Sequence, residues 1–65
     1  MPVMQQSDQN SSVWWVAGGS WDGERTYRQG WYFRDESEVL NGPHPSEDLA
    51  ITSYNVYLRR LEAEA

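Results

Sequence analysis

Two hydrophobic rhythms divide the chain. Between Val13 and Arg34 the apolar residues come in short runs broken by glycine, "VWWVAGG" and "GWYFR". From Ser46 onward they recur at three- and four-residue steps, through Ala50, Tyr54, Tyr57, Leu58 and Leu61, with Ile51 beside them. The first rhythm suits strands, whose side chains alternate between faces, and the second suits a helix of ~3.6 residues per turn. Ser46 can cap that helix, and Glu47 and Asp48 complement the partial positive charge at its start. Arg59 and Arg60 fall near its negative end. A helix from about residue 46 to 63 is ~27 Å long, enough to cross three strands.

The strand region reads as a hairpin. Asp22-Gly23 is a strong two-residue turn signal, because the favoured tight turn needs positive φ at both central positions. A turn there sets Trp14 opposite Trp31 and Val13 opposite Tyr32. Trp14, Val16, Tyr27, Trp31 and Phe33 then share one face, the more apolar, and form the expected core. Val13, Trp15, Ala17, Arg28, Tyr32 and Arg34 share the other. Gly18 and Gly19 can instead hold a bulge, which would flip the first strand's faces relative to the second. Asp35 to Glu38 is a polar turn, and "VLNG" is a short third strand ending at Gly42-Pro43. The expected class is α+β, an antiparallel three-stranded sheet packed on one C-terminal helix. Residues 1–12 form a polar arm with almost nothing to bury, read as disordered, and residues 13–65 form a single small domain.

One helix covers one face of a sheet. If Trp31 and Phe33 lie under it, Tyr32 and Arg34 point away. With Trp15 and Arg28 they make an aromatic-arginine patch of the residue types enriched in interface hot spots. Trp15, Arg28, Tyr32 and Arg34 are therefore the expected partner-binding residues. The occupant is a foreign protein or a second copy. A naked apolar face predicts a homodimer at tens of micromolar, with Trp15 in or beside the interface. The alternative is that the arm or the Gly18–Trp21 loop covers Trp15 within one chain.

Composition narrows the chemistry. Sixty-five residues without cysteine exclude a disulfide framework and thiolate metal sites, which leaves dense aromatic packing, for which four Trp, four Tyr and one Phe are at hand, or oligomerisation as the staple. The net charge of −5, with arginine as the only basic type, argues against direct binding to a phosphate backbone. No apolar run approaches the ~20 residues of a membrane span, and the start carries no signal-peptide pattern, which predicts a cytoplasmic protein without a membrane partner. Catalytic candidates are thin. His44 stands between two prolines, "GGSWDG" lacks the setting of a phosphate loop, and Asp35, Glu36 and Glu38 lack calcium-loop spacing. No enzyme activity, metal or cofactor is expected.

Trp31, Tyr32 and Phe33, followed by Gly42-Pro43 and then Ser46 and Leu49, resemble the opening of GYF-like domains, in which a W-Y-Y-type strand precedes a G-P turn and an acidic helix start. The likeness covers about a third of the chain and implies proline-rich peptide binding. This chain has no downstream Gly-Tyr-Phe segment and carries a hairpin in front. The same core resembles small bacterial and bacteriophage proteins, and short length, absent lysine and a polar arm fit a phage accessory protein. The expected function is a non-enzymatic protein-binding module, phage-encoded, that docks on or inhibits a host factor. The alternatives are an acidic nucleic-acid mimic blocking a DNA-binding enzyme, drawing on Glu47, Asp48, Glu62 and Glu64, and a structural homo-oligomer.

Overall fold

The computed structural model describes residues 3–64. Met1 and Pro2 of the expected arm and Ala65 of the expected domain lie outside them. The elements are β1 (Met4–Gln6), β2 (Val13–Val16), β3 (Gly30–Arg34), β4 (Leu40–His44) and α1 (Glu47–Glu64). The strands form one antiparallel sheet in the order β1-β2-β3-β4.

The α+β class stands, with four strands in place of three. The additional strand comes from the segment expected to be a frayed arm. Met4–Gln6 pairs with Trp14–Val16, so the gain is main-chain hydrogen bonding that composition does not reveal. The rest of the arm is tied down by polar contacts. Ser7 is buried, its N–H donating to the Val13 carbonyl and its hydroxyl to Glu47 at 2.7 Å.

The β2–β3 register differs by one residue from the expected one. Val13 opposes Phe33, Trp14 opposes Tyr32, and Trp15 opposes Trp31. The cause lies at Gly19 and Ser20, which together face Tyr27. The Gly19 N–H donates to the Tyr27 carbonyl at 3.0 Å, and the Tyr27 N–H donates to the Ser20 carbonyl at 2.8 Å. Gly19 has φ 79°. This is a bulge whose first residue is a left-handed glycine. The tip itself closes farther along than Asp22-Gly23: Trp21 bridges Thr26, and the Asp22 carboxylate accepts the Glu24 and Arg25 N–H groups. Bulge and tip together move Val13 and Trp15 to the face of Trp31 and Phe33. Trp14 and Val16 join Tyr32 on the other.

Two small cores result, one on each side of the sheet. On the helix side Val13, Phe33 and Ala50 are buried, with Trp31, Ile51, Tyr54 and Tyr57 packed around them. The Phe33 ring centroid is 5.5 Å from that of Tyr57 and 5.7 Å from that of Tyr54. On the other side Val16, Tyr27, Tyr32 and Leu40 are buried, flanked by Met4 and Trp14. The face expected to be naked is covered by the β2–β3 connection, residues 17–29, which folds back over it. Tyr27 meets Tyr32 edge-on at 5.7 Å, and Arg25 Nη2 reaches the Leu40 carbonyl at 2.9 Å. The premise of an uncovered sheet face is thereby removed.

β4 runs through Gly42-Pro43 rather than ending there. Asn41 opposes Phe33 and His44 opposes Trp31, so Gly42 and Pro43 together face Tyr32. A bulge is where a strand tolerates the missing N–H of proline. Gly42 is required by close approach, since a Cβ would come within 2.8 Å of the Trp31 carbonyl oxygen and 2.9 Å of the Tyr32 ring.

The helix begins as expected, with the Ser46 hydroxyl accepting the Leu49 N–H at 3.2 Å. It crosses the sheet near the end that carries the β1–β2 and β3–β4 connections. Glu47 is bonded to Ser7 and Gln9 in the first, and Tyr57 accepts the Glu36 N–H in the second. Eighteen residues span ~27 Å, whereas four strands spaced ~4.8 Å apart are only ~14 Å across. The last turns of the helix stay beside the sheet residues: Leu58 and Leu61 line a groove with Trp14 and Arg34, and Arg60 lines another with Phe33 and Asn41. The last turn contains no basic residue, because the helix outlasts Arg59 and Arg60 and ends on Glu62 and Glu64.

Candidate functional site

The four residues expected to form a binding patch do not share a surface. Tyr32 is 3% exposed, and its hydroxyl donates to the Arg28 carbonyl at 2.7 Å. Its ring is core. Trp15 opposes Trp31, so it lies on the helix side, away from Tyr32. Arg28 is exposed on the folded-back connection. Arg34 does sit on the Tyr32 side, but its guanidinium covers Trp14, 5.1 Å from the ring. The geometry thus substitutes Trp14 for Trp15. Which tryptophan accompanies Arg34 is decided by the bulge at Gly19, the second of the two glycines after "VWWVA", which the sequence marks as a place for a bulge without fixing it.

The Trp14–Arg34 pair borders a groove of about 430 Å³ at the end of the sheet. Here β2 begins and β3 finishes, held together by the Arg34 N–H donating to the Ser12 carbonyl at 2.8 Å. Trp14 and Arg34 form one wall, and Tyr54, Tyr57, Leu58 and Leu61 form the other. The Ser12 hydroxyl donates to the Tyr54 hydroxyl at 3.1 Å, which fixes the first tyrosine, and the Glu36 N–H fixes the second. Leu58 is 37% exposed although apolar, and Leu61 is half-buried. Asp35, Glu36 and Glu38 rim the groove.

Asp35 is a turn anchor. Its carboxylate accepts the Val39 N–H at 3.0 Å, the Asn41 side-chain amide at 3.1 Å and the Ser37 N–H at 2.9 Å, and these donors hold its pKa below the ordinary value. Asp22 plays the same part at the hairpin tip. The Tyr27 hydroxyl donates to it at 2.6 Å, and with the Arg25 and Glu24 N–H groups lowers its pKa to about 2. The same contact, with burial, raises the pKa of Tyr27. Both carboxylates are therefore anions at neutral pH and already committed to turns. His44 is committed as well: its Nδ1 lies 2.9 Å from the Trp31 carbonyl, which can only accept, so Nδ1 carries the proton.

Two further concavities flank the fold. One of about 280 Å³ lies among Arg25, Tyr27, Arg28, Tyr32 and Pro43, but Arg25 is spent on the Leu40 carbonyl and the Tyr27 ring. The other, about 420 Å³, runs between β4 and the helix, with Phe33, Asn41, Val56 and Arg60 on its sides. Among the described residues no group of three His, Asp or Glu side chains is placed to hold a metal ion. No helix of the described residues is long and apolar enough to cross a membrane.

No protein-family model, curated protein or solved structure matches the chain.

Proposed function

We propose that this chain is a non-enzymatic protein-binding module, a phage-type accessory or inhibitor, that docks through the groove at the sheet end. The observation that carries the reading is the apolar wall that the last turns of α1 give the groove. Leu58 and Leu61, with Tyr54 and Tyr57, line a cleft of about 430 Å³ together with Trp14 and Arg34, within the ~300–1,000 Å³ range of binding clefts. Tryptophan and arginine are the types most often found at interface hot spots, and here the two are already stacked. The reading shifts the docking residues from Trp15, Arg28 and Tyr32 to Trp14, Arg34, Leu58 and Leu61. A nucleic-acid mimic has fewer free carboxylates to draw on than composition suggests, because Glu47 is bonded to Ser7 and Gln9. Asp22 and Asp35 are likewise pinned in turns.

The test is affinity capture from source-cell extract, then binding of the purified captured protein to wild type and to Leu58→Ser/Leu61→Ser. Loss of at least tenfold in affinity, with an unchanged circular dichroism spectrum, is expected. Equal affinity for the two forms would remove the groove from the function.

A further inference from the structure

Resting on the docking reading, we infer that the groove takes a cationic amphipathic segment of another protein, an apolar anchor flanked by lysine or arginine, rather than a second copy of this chain. The walls alone say only that the occupant has apolar side chains. Charge decides the rest.

The rim takes its negative charge from the β3–β4 turn, and α1 carries two further carboxylates beyond Leu61, its last lining residue, with Arg59 and Arg60 one turn back. Asp35, Glu36 and Glu38 come from the β3–β4 turn, against Arg34 as the cation among the lining residues. Asp35 is anchored by its turn and held ionised, while Glu36 and Glu38 are exposed and free to face an arriving chain. On the helix, Glu62 lies one turn beyond Leu58 and therefore on the same face, and Glu64 follows. A helix C-terminus carries partial negative charge of its own, which basic side chains commonly offset, yet the last turn here has none. Apolar wall and acidic turn thus share one groove, and the helix that supplies the wall ends on carboxylates.

A second copy fits this end poorly. Each chain carries a net charge of −5, and a two-fold contact through the groove would set the acidic turns and helix ends of both copies near one another. A basic segment meets the opposite situation, since its charges complement the rim while its anchor fills the cleft between Trp14 and Leu61. Docking of an amphipathic helix into an apolar groove is a recurrent way to satisfy both demands.

Three synthetic 18-residue peptides test the inference: a Leu/Lys amphipathic helix, a sequence isomer of it without amphipathic periodicity, and a Leu/Glu counterpart. Nuclear magnetic resonance titrations follow the tryptophan indole and backbone amide signals. The Leu/Lys helix should bind, with shifts concentrated at Trp14, Leu58 and Leu61, and at least tenfold tighter than its isomer. Leu61→Ser should weaken binding about tenfold while leaving the Tyr27 and Tyr32 signals in place. Glu36→Gln/Glu38→Gln should weaken it severalfold and flatten its salt dependence. Equal binding of the isomer, or shifts spread over the acidic surface, would reduce the effect to charge alone and overturn the inference. Preference for the Leu/Glu peptide at the groove would overturn the cationic partner and leave the docking reading intact. A wild type that sediments as a dimer and becomes monomeric with Leu61→Ser would make the second copy the occupant.

Discussion

The two faces of the sheet are covered by opposite means. The helix face is sealed by an amphipathic element whose apolar side chains repeat every three or four residues, and the contacts are ring against ring and methyl: Phe33 with Tyr54 and Tyr57, Val13 with Ala50. The opposite face is sealed by residues 17–29, which have no apolar period. That cover is fastened by directional bonds instead: Tyr27 to Asp22, Tyr32 to the Arg28 carbonyl, Arg25 to the Leu40 carbonyl and the Val3 N–H to Ser20. A periodic cover can be shaved at its margins. A cover held by a few bonds fails at particular atoms, and the comparison can be broken at those atoms.

The largest effect is expected at Tyr32, where the irregular cover meets the sheet. Tyr32→Ala should cost about 3–5 kcal/mol, the range for deleting a buried large aromatic, and should exceed the cost of Trp31→Ala at the half-buried neighbour. Urea midpoints of the two variants rank them. A larger loss for Trp31→Ala would show that the helix-side core dominates. Next comes removal of residues 1–9, which strips β1 from the sheet and both side-chain bonds from Glu47. Most of these bonds lie at an exposed edge, so at the low end of ~0.5 kcal/mol per net hydrogen bond the loss is about 3 kcal/mol, on the order of 10–20 °C for a domain this small. A thermal transition within two or so degrees of wild type would return the segment to the status of a loose arm.

A smaller effect sharpens the comparison through pH. Asp22 is held at about 2 in the fold against 3.8 for the ordinary side chain. A lowered carboxylate binds its proton less readily when folded, so its contribution is complete above its ordinary pKa and drains as pH falls toward 2. Tyr27 behaves conversely: with its pKa raised above 10.0, its contribution holds below pH 10 and is lost above it. Tyr27→Phe should therefore cost about 1 kcal/mol at neutral pH and flatten the stability profile at both ends. A profile matching wild type below pH 4 would mean that the main-chain donors alone hold Asp22. The smallest change is at Glu38, which has φ 63° without being glycine. Glu38→Gly should stabilise by about 0.5–1 kcal/mol, seen as a higher urea midpoint, by releasing left-handed strain.

What the sequence discloses follows the same divide. The helix, its Ser46 cap and its packing stripe are legible because each is a local or periodic signal. The faces of β3 are legible too, since Trp31, Tyr32 and Phe33 alternate as a strand must. The faces of β2 are not, because one left-handed residue at Gly19 settles them and either setting leaves a tryptophan on each side. β1 is invisible for a different reason: Met4, Gln5 and Gln6 join the sheet through backbone groups that every residue possesses. The candidate groove inherits both obscurities. Arg34 could be named, but its tryptophan could not, and the apolar wall at Leu58 and Leu61 reads as ordinary helix core until the structure sets it in one groove with Trp14 and Arg34.

The ends of the strand order carry a consequence for life at high concentration. A sheet grows from its margins, and fibrils form where a long, flat margin offers unbroken rows of N–H and C=O groups. One margin here is β4, interrupted by a bulge and by Pro43, which has no N–H to offer. The other is β1, three residues long and largely polar. Neither presents a template on which a second chain could stack in register. Both margins thus carry features that discourage edge-to-edge pairing, a short polar strand on one side and a proline-bearing bulge on the other.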